Sequence, residues 1–381
     1  MRLNIRMRTD LMKKLIFLTS ILLFFGLAIA SQSESDNAAG DGAALVSAEL
    51  IREAGWKYDW QMNLPLKPGE TIDRLRVMGP RLFAITDTNV LFSINRKNGR
   101  VECSSQLSAS RLPVRRPAYY EDTFWFIVGS EVMVFDPAIG DFTIKERFPQ
   151  VGNSAEGGLA RNKDYLYISG SDNRLHAINT DGFWQQFTAT ADNDSPIVSI
   201  LATDDIVVFA TKAGNVVGMA PDKADKIWQF DVTGRIKGQL VLDGEDIYIG
   251  SFDSKLYKLG LSDGKLVWDS PFHSGAPIRD SFAVGNDIIY LYNALNGLYG
   301  VNKESGKSVW QVASGEGVVC ETPQKAFVFA SPGILKVMDN KTGAELYSVN
   351  FSSVQHYAVN TTDAVMYLAD TNGRLMSVLV E

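Results

Sequence analysis

What this chain has little of narrows its chemistry before any pattern is considered. It carries two cysteines, Cys103 and Cys320, and three histidines, His176, His273 and His356, in 381 residues. A disulfide-stapled scaffold needs a dense, even set of cysteines, so that class is excluded, and the two thiols are expected to stay unpaired. Transition-metal sites draw on clustered Cys and His. These histidines fall in three separate segments, and no metal site is expected. Basic residues are also in deficit, with 37 Lys plus Arg against 44 Asp plus Glu. Binding to nucleic acid rests on cationic contacts to phosphate, so no nucleic-acid partner is expected. Neither a nucleophile elbow nor a phosphate-binding glycine loop occurs. No Ser-, Gln- or Pro-rich run divides the chain, so no second domain boundary is visible.

Long apolar runs are scarce as well, with one exception at the N-terminus. Lys13 and Lys14 precede the mainly apolar stretch Leu15 to Ala30, which ends in Ala28-Ile29-Ala30. That order of charge, apolar run and small residues marks a secretory signal over residues 1–30, and it is shorter than the ~20 residues that span a bilayer comfortably. The mature chain is expected to be exported, with no transmembrane segment. Ser31 follows the cleavage site, so no lipid-accepting cysteine stands there. Without residues 1–30 the chain holds 32 basic and 43 acidic residues, a net charge of −11. The stretch from Ser31 to Ala44 is small, polar and acidic, and residues 31–55 are assigned to a flexible acidic linker.

What is abundant is repetition. From residue 56 onward a short pattern restarts about every 41 residues, the period of stacked supersecondary units. Each copy opens on an aliphatic and aromatic strand, such as Arg81 to Thr86, Asp246 to Ser251 or Ala326 to Ser331. A turn of residues tolerant of positive φ follows, for example Thr88-Asn89, Asp172-Asn173, Ala213-Gly214 or Asp253-Ser254. After a second strand and a turn such as Asp263-Gly264 or Ser305-Gly306, a third strand carries an aromatic. Four strands per unit match one propeller blade. The predicted fold is therefore all-β: an eight-bladed β-propeller of four-stranded antiparallel blades over residues 56–381. The ring is closed by a composite blade from both termini. In this division residues 364–380 give that blade its first two strands and residues 56–78 its last two, and Cys320 falls in the fourth strand of the sixth unit.

The recurrent aromatics are Trp60, Trp184, Trp228, Trp268, Trp310 and Tyr347, with Cys103 and Ile144 in the same slot of two further copies. Burying one Trp removes roughly 150–250 Å² from water, on the order of 4–6 kcal/mol at about 25 cal/mol per Å². Packing between blades therefore accounts for the repetition without a ligand.

The segments Ser251 to Trp268, SFDSKLYKLGLSDGKLVW, and Asn293 to Trp310, NALNGLYGVNKESGKSVW, resemble the repeat of the pyrroloquinoline-quinone (PQQ)-type propellers. The size, the eight units, the signal peptide and the ending LADTNGRLMSVLVE are similar to the BamB family, the propeller subunit of the bacterial outer-membrane β-barrel assembly machine. The resemblance implies a non-enzymatic monomeric scaffold without cofactor. Its partner would be an envelope protein, the assembly machine, met in the periplasm or on the periplasmic side of the outer membrane. In that family the partner is gripped by loops between the third and fourth strands of two neighbouring central blades. The corresponding loops here are Thr188 to Ser195, TATADNDS, and Val232 to Gly238, VTGRIKG. They do not reproduce the family's sequence, so no residue is transferred. On chemistry alone, Asp192, Asn193, Asp194, Arg235 and Lys237 are the candidate partner contacts, beside the alternative that they are plain solvated turns. Two other classes stay open: a free periplasmic or secreted propeller that binds a peptide or glycan, and a quinoprotein dehydrogenase. Those enzymes carry adjacent cysteines over the cofactor, and no Cys-Cys pair occurs here.

Overall fold

The computed structural model describes residues 44–108, 112, 114–152 and 157–380. The signal segment and residues 31–43 of the expected linker lie outside them. Strands dominate, and they sort into eight four-stranded antiparallel sheets. Blade 1 consists of Ile72–Met78, Arg81–Thr86, Val90–Asn95 and Val101–Gln106, in that spatial order. Blades 2 to 7 repeat this plan over residues 118–147, 159–189, 197–231, 241–273, 283–312 and 315–350. Blade 8 is the composite: His356–Ala358, Val365–Ala369 and Arg374–Leu379 come from the C-terminal end, and Lys57–Asn63 from the N-terminal end supplies its outer strand.

The division into blades thus differs by one strand from the one read in the sequence. The strand that follows each aromatic opens the next blade as its innermost strand, so Ile72–Met78 belongs to blade 1 and not to the composite. Cys320 accordingly lies in Gly315–Glu321, the innermost strand of blade 7, rather than at the end of the sixth unit. Both cysteines are free. Burial pushes the Cys103 thiol up to about 11, helped by Asp141, and raises the fully buried Cys320 well above the usual thiol range.

The hairpin turns take the backbone conformation that their residue types allow. Asn89, Asn173 and Ser254 have φ of 64°, 63° and 70° at equivalent turns, and Gly214 has φ 110° at the same place in blade 4. Strand interiors alternate onto two buried faces, as expected of sheets covered on both sides. Among the described residues the apolar core divides into eight clusters, each joining two adjacent blades. The cluster around Trp60, Leu82 and Tyr367 joins blades 8 and 1 and completes the circle.

The aromatic slot is defined by register. In seven blades the pairing between the third and outer strands slips one residue at the same point, a β-bulge. The slot residue faces Ser377 for Trp60, Gly218 for Trp228, Gly300 for Trp310 and Val337 for Tyr347. Each tryptophan then reaches into the next blade. The indole N–H of Trp60 donates to Arg96 O (2.9 Å), that of Trp228 to Leu261 O (3.0 Å) and that of Trp268 to Lys303 O (3.2 Å). Each ring lies on the glycine of that neighbour's turn: Gly99, Gly264 and Gly306.

Trp184 departs from this scheme and corrects its assignment to blade packing: it is 53% exposed. In blade 3 the residue opposite Ala177, at the bulge, is Phe187, which packs into the cluster joining blades 3 and 4. Trp184 follows directly on the turn Asp181-Gly182-Phe183 and stands three residues before Phe187, so the tryptophan emerges before the slot is reached. Tyr347 holds its slot only half-buried.

Close packing at the slot makes a prediction. A Cβ on Gly300 would stand 2.2 Å from Trp310 Cε2, inside an interface with no flexible neighbour to yield. Gly300→Ala should therefore cost about 1–3 kcal/mol through overpacking, seen as a lowered urea midpoint. An unchanged midpoint would mean that the indole swings away freely.

The expected linker ends earlier than residue 55. Residues 45–56 pack on the body: Leu45, Val46, Ile51 and Trp56 are 2–7% exposed, in one cluster with Phe327, Phe351 and Val378. Ser47 caps the short helix α1, Ala48–Glu53, by accepting from Leu50 N (3.2 Å). Between the Arg374–Leu379 and Lys57–Asn63 strands of blade 8 there is no covalent turn. The end of α1 stands in its place, where Tyr347 of blade 7 donates to Ala54 O at 3.2 Å.

Candidate functional site

Because outer strands lead directly into the next blade's inner strand, both candidate loops are connections between blades: residues 190–196 join blade 3 to blade 4, and residues 232–240 join blade 4 to blade 5. The expectation that they lie inside a blade is corrected by the same shift of one strand. Such connections emerge on the same face of the ring as the turns between second and third strands. The structure ties all of these together.

The blade-4 turn bridges the two loops. Its Lys212 N donates to Pro196 O (2.8 Å) and Ala213 N to Ser195 Oγ (3.0 Å), while Gly214 O accepts from Val232 N (2.9 Å). On the outer flanks, Asn173 Nδ2 of the blade-3 turn donates to Asp194 O (2.8 Å), and Phe252 N of the blade-5 turn donates to Arg235 O (2.9 Å). The result is a continuous ridge across blades 3, 4 and 5, held by backbone and short side chains. Gly214 is required at its centre: a Cβ there would lie 2.6 Å from both Gly234 O and Val232 O.

All five candidate residues are exposed on this ridge. Asp192 is engaged by Lys226 of the blade-4 outer strand at 3.1 Å, an exposed pair of small energetic weight. Asn193 Oδ1 accepts from Ser195 N (3.2 Å), and Asp194 sits at φ 51° with a weak hydrogen bond from Thr190 Oγ1 (3.3 Å). Their side chains thus partly fix the loop. Arg235 alternates with buried Ile236, which bridges to Ser251, so Arg235 and Lys237 both face outward. Among the described residues neither cation has a hydrogen-bonding or ionic partner. Lys212, exposed on the central turn, was not singled out by sequence; its place between the two loops follows only from the hydrogen bonds. The ridge grades from acidic at Asp192 and Asp194 to basic at Lys212, Arg235 and Lys237.

The histidines stay apart. His176 is buried, with Nε2 3.1 Å from Asp172 Oδ1 and Nδ1 3.1 Å from Gln185 Oε1, which fully employs its ring. Among the described residues no group of three or more His, Cys, Asp or Glu could hold a metal ion, and no helix is long and apolar enough to cross a membrane.

Eight four-stranded blades, a docked aromatic in the outer strand and a composite closing blade define a PQQ-like β-propeller with BamB-like architecture. Residues 212–378 match the sequence model of the family described as outer membrane protein assembly factor BamB. A curated relative, outer membrane protein assembly factor BamB of Shewanella oneidensis, is 21% identical over 215 residues, 52% of this chain. That alignment spans 53% of the relative, about half its length. Among solved structures, BamB from Moraxella catarrhalis superimposes with TM-score 0.62 at 9% identity, covering 85% of this chain and 100% of that one. The computationally designed protein Ika8 gives TM-score 0.64 at 13% identity, covering 84% and 98%. At such identities the two structures establish the fold.

Proposed function

We propose that this chain is an exported, non-enzymatic scaffold that binds a protein of the cell envelope through the ridge over blades 3 to 5, in a BamB-like role in outer-membrane β-barrel assembly. The observation that carries the reading is the ridge itself: two inter-blade loops and three hairpin turns joined by backbone and short side-chain hydrogen bonds, with charged side chains pointing outward. A rigid platform presents such groups at low entropic cost on binding. The family match to residues 212–378, which begins at the central turn of the ridge, supports the specific assignment. The apolar N-terminal run supports delivery across the inner membrane.

Two experiments test this. The tagged mature protein, crosslinked mildly in its own envelope and purified, should bring down subunits of the barrel-assembly machine. Recovery of other envelope proteins alone would sink the assembly role. The double variant Arg235→Glu, Lys237→Glu should recover about tenfold less partner with an unaltered melting curve, as expected when outward charges steer association. Equal recovery would move the contact off the ridge.

A further inference from the structure

The central cavity of the ring has a volume of about 550 Å³ and is walled mainly by the innermost strands of blades 1, 5, 6, 7 and 8. One part of its lining is strongly cationic. Arg74 and Arg76 stand two residues apart in Ile72–Met78, so they share one face of the strand, and Arg116 joins them from the segment leading into blade 2. Arg74 is neutralised by Asp73 at 2.6 Å and donates to Val114 O at 3.0 Å. Arg76 and Arg116 differ: among the described residues neither guanidinium has a salt bridge or a hydrogen-bond acceptor, and Asp73, already paired with Arg74, favours the charge on Arg76 only from beyond contact. Glu316, the one acidic residue of the cavity lining, comes from blade 7.

An unpaired, partly desolvated pair of like charges is costly, and proteins retain such pairs where an anion completes them. The strain is visible in Arg76, whose pKa is held down to about 10 by burial and by Arg116 and Arg74, against a smaller opposing pull from Asp73. Arg116 is lowered in the same direction, yet it is exposed by its own surface area, so it is the solvated member of the pair at the cavity wall, open to a ligand. With 43 acidic residues in the mature chain, a counter-carboxylate beside them would be an ordinary feature. Instead the cavity adds Tyr357, whose hydroxyl has no protein partner among the described residues, and the apolar surfaces of Phe282 and Val359.

We propose that the central cavity is a binding site for a small molecule bearing phosphate or carboxylate groups, with Arg76 and Arg116 as the oxyanion clamp. The planar guanidinium fork suits either oxyanion in bidentate fashion, and the apolar lining accepts the ligand body. This site is separate from the ridge, so it stands or falls independently of the assembly role.

The test is calorimetric titration of the full mature protein with inorganic phosphate and with citrate, against sodium chloride matched in ionic strength. Saturable one-to-one binding of either anion, weakened at least tenfold in both Arg76→Gln and Arg116→Gln and unchanged in Lys212→Gln, is the expected result. Preference for phosphate or for citrate identifies the ligand class. A thermal melt in anion-free buffer separates this from a structural role: Arg76→Gln should melt at the same or a higher temperature than wild type, because a repulsion is removed, yet lose the anion-induced gain. Absence of saturable binding, or binding that survives both substitutions, overturns the proposal. So does a lowered anion-free melting temperature with the anion response intact.

Discussion

Trp228→Ala should cost about 3–5 kcal/mol, whereas Trp184→Ala should change stability by no more than about 0.5 kcal/mol. The two residues follow the third-to-outer turns of neighbouring blades, and sequence alone treats them alike. Trp228 is 8% exposed, its ring lies against Gly218 and against Gly264 of the next blade, and its indole N–H donates to Leu261 O. Removing it opens a cavity at the interface of blades 4 and 5 and leaves a backbone carbonyl without its donor, two losses that add. The neighbouring apolar residues, among them Ile247 and Leu259, are fixed in their own strands and are poorly placed to collapse into the gap. Trp184 is 53% exposed and has little to lose. Phe187, which occupies the slot of blade 3, provides the decisive comparison: Phe187→Ala should destabilise more than Trp184→Ala, despite the smaller side chain. Urea unfolding of the three variants measures this directly. Equal losses at residues 184 and 228 would refute the register drawn from the bulge.

That contrast also marks where the sequence is readable. Repeat period, strand identity and turn position are local properties, and Asn89, Asn173, Ser254 and Gly214 adopt the positive φ their types favour. Strand partnership is not local. Ile197–Ala202 lies between a connection over residues 190–196 and one over residues 203–206, both short enough for either partner, and its side-chain pattern is the same whichever sheet it joins. Only the pairing with Val207–Thr211 places it at the start of blade 4. The slot in blade 3 is hidden in the sequence because Trp184 is the first tryptophan after the turn, whereas the bulge selects Phe187. The segment 44–55 reads as the end of a tether, because its apolar residues Leu45, Val46 and Ile51, with Trp56 just beyond it, follow no single period. Exposure of Asp192, Asn193, Asp194, Arg235 and Lys237 was legible from turn chemistry. The role of Lys212 was not, because it depends on hydrogen bonds from two loops some 40 residues apart in the chain. Arg74 and Arg76 likewise read as ordinary strand cations until the ring closes around them.

Ring closure itself gives the second large effect: a chain beginning at residue 64 should fail to yield a folded monomer, while one beginning at residue 57 should fold with reduced stability. The first truncation removes Lys57–Asn63, and with it the pairing to Arg374–Leu379. It also takes Trp60, whose ring sits on Gly99 and whose indole donates to Arg96 O, so the contact between blades 8 and 1 loses its anchor. An opened propeller presents a bare strand edge and the apolar cluster around Leu82 and Tyr367, conditions for edge-to-edge association. The second truncation keeps the strand and removes only α1 with Leu45, Val46, Ile51 and Trp56. Its cost is bounded by the docking free energy of that segment, because a segment that can detach locally transmits no more than this to the rest. About 2–4 kcal/mol is expected, with Phe351 and Phe327 newly accessible to a hydrophobic dye. Size-exclusion chromatography with light scattering and a urea titration distinguish the outcomes. A monomeric, cooperatively unfolding chain starting at residue 64 would show that seven blades and a three-stranded remnant close the ring unaided, and that the N-terminal strand is a covering rather than the clasp.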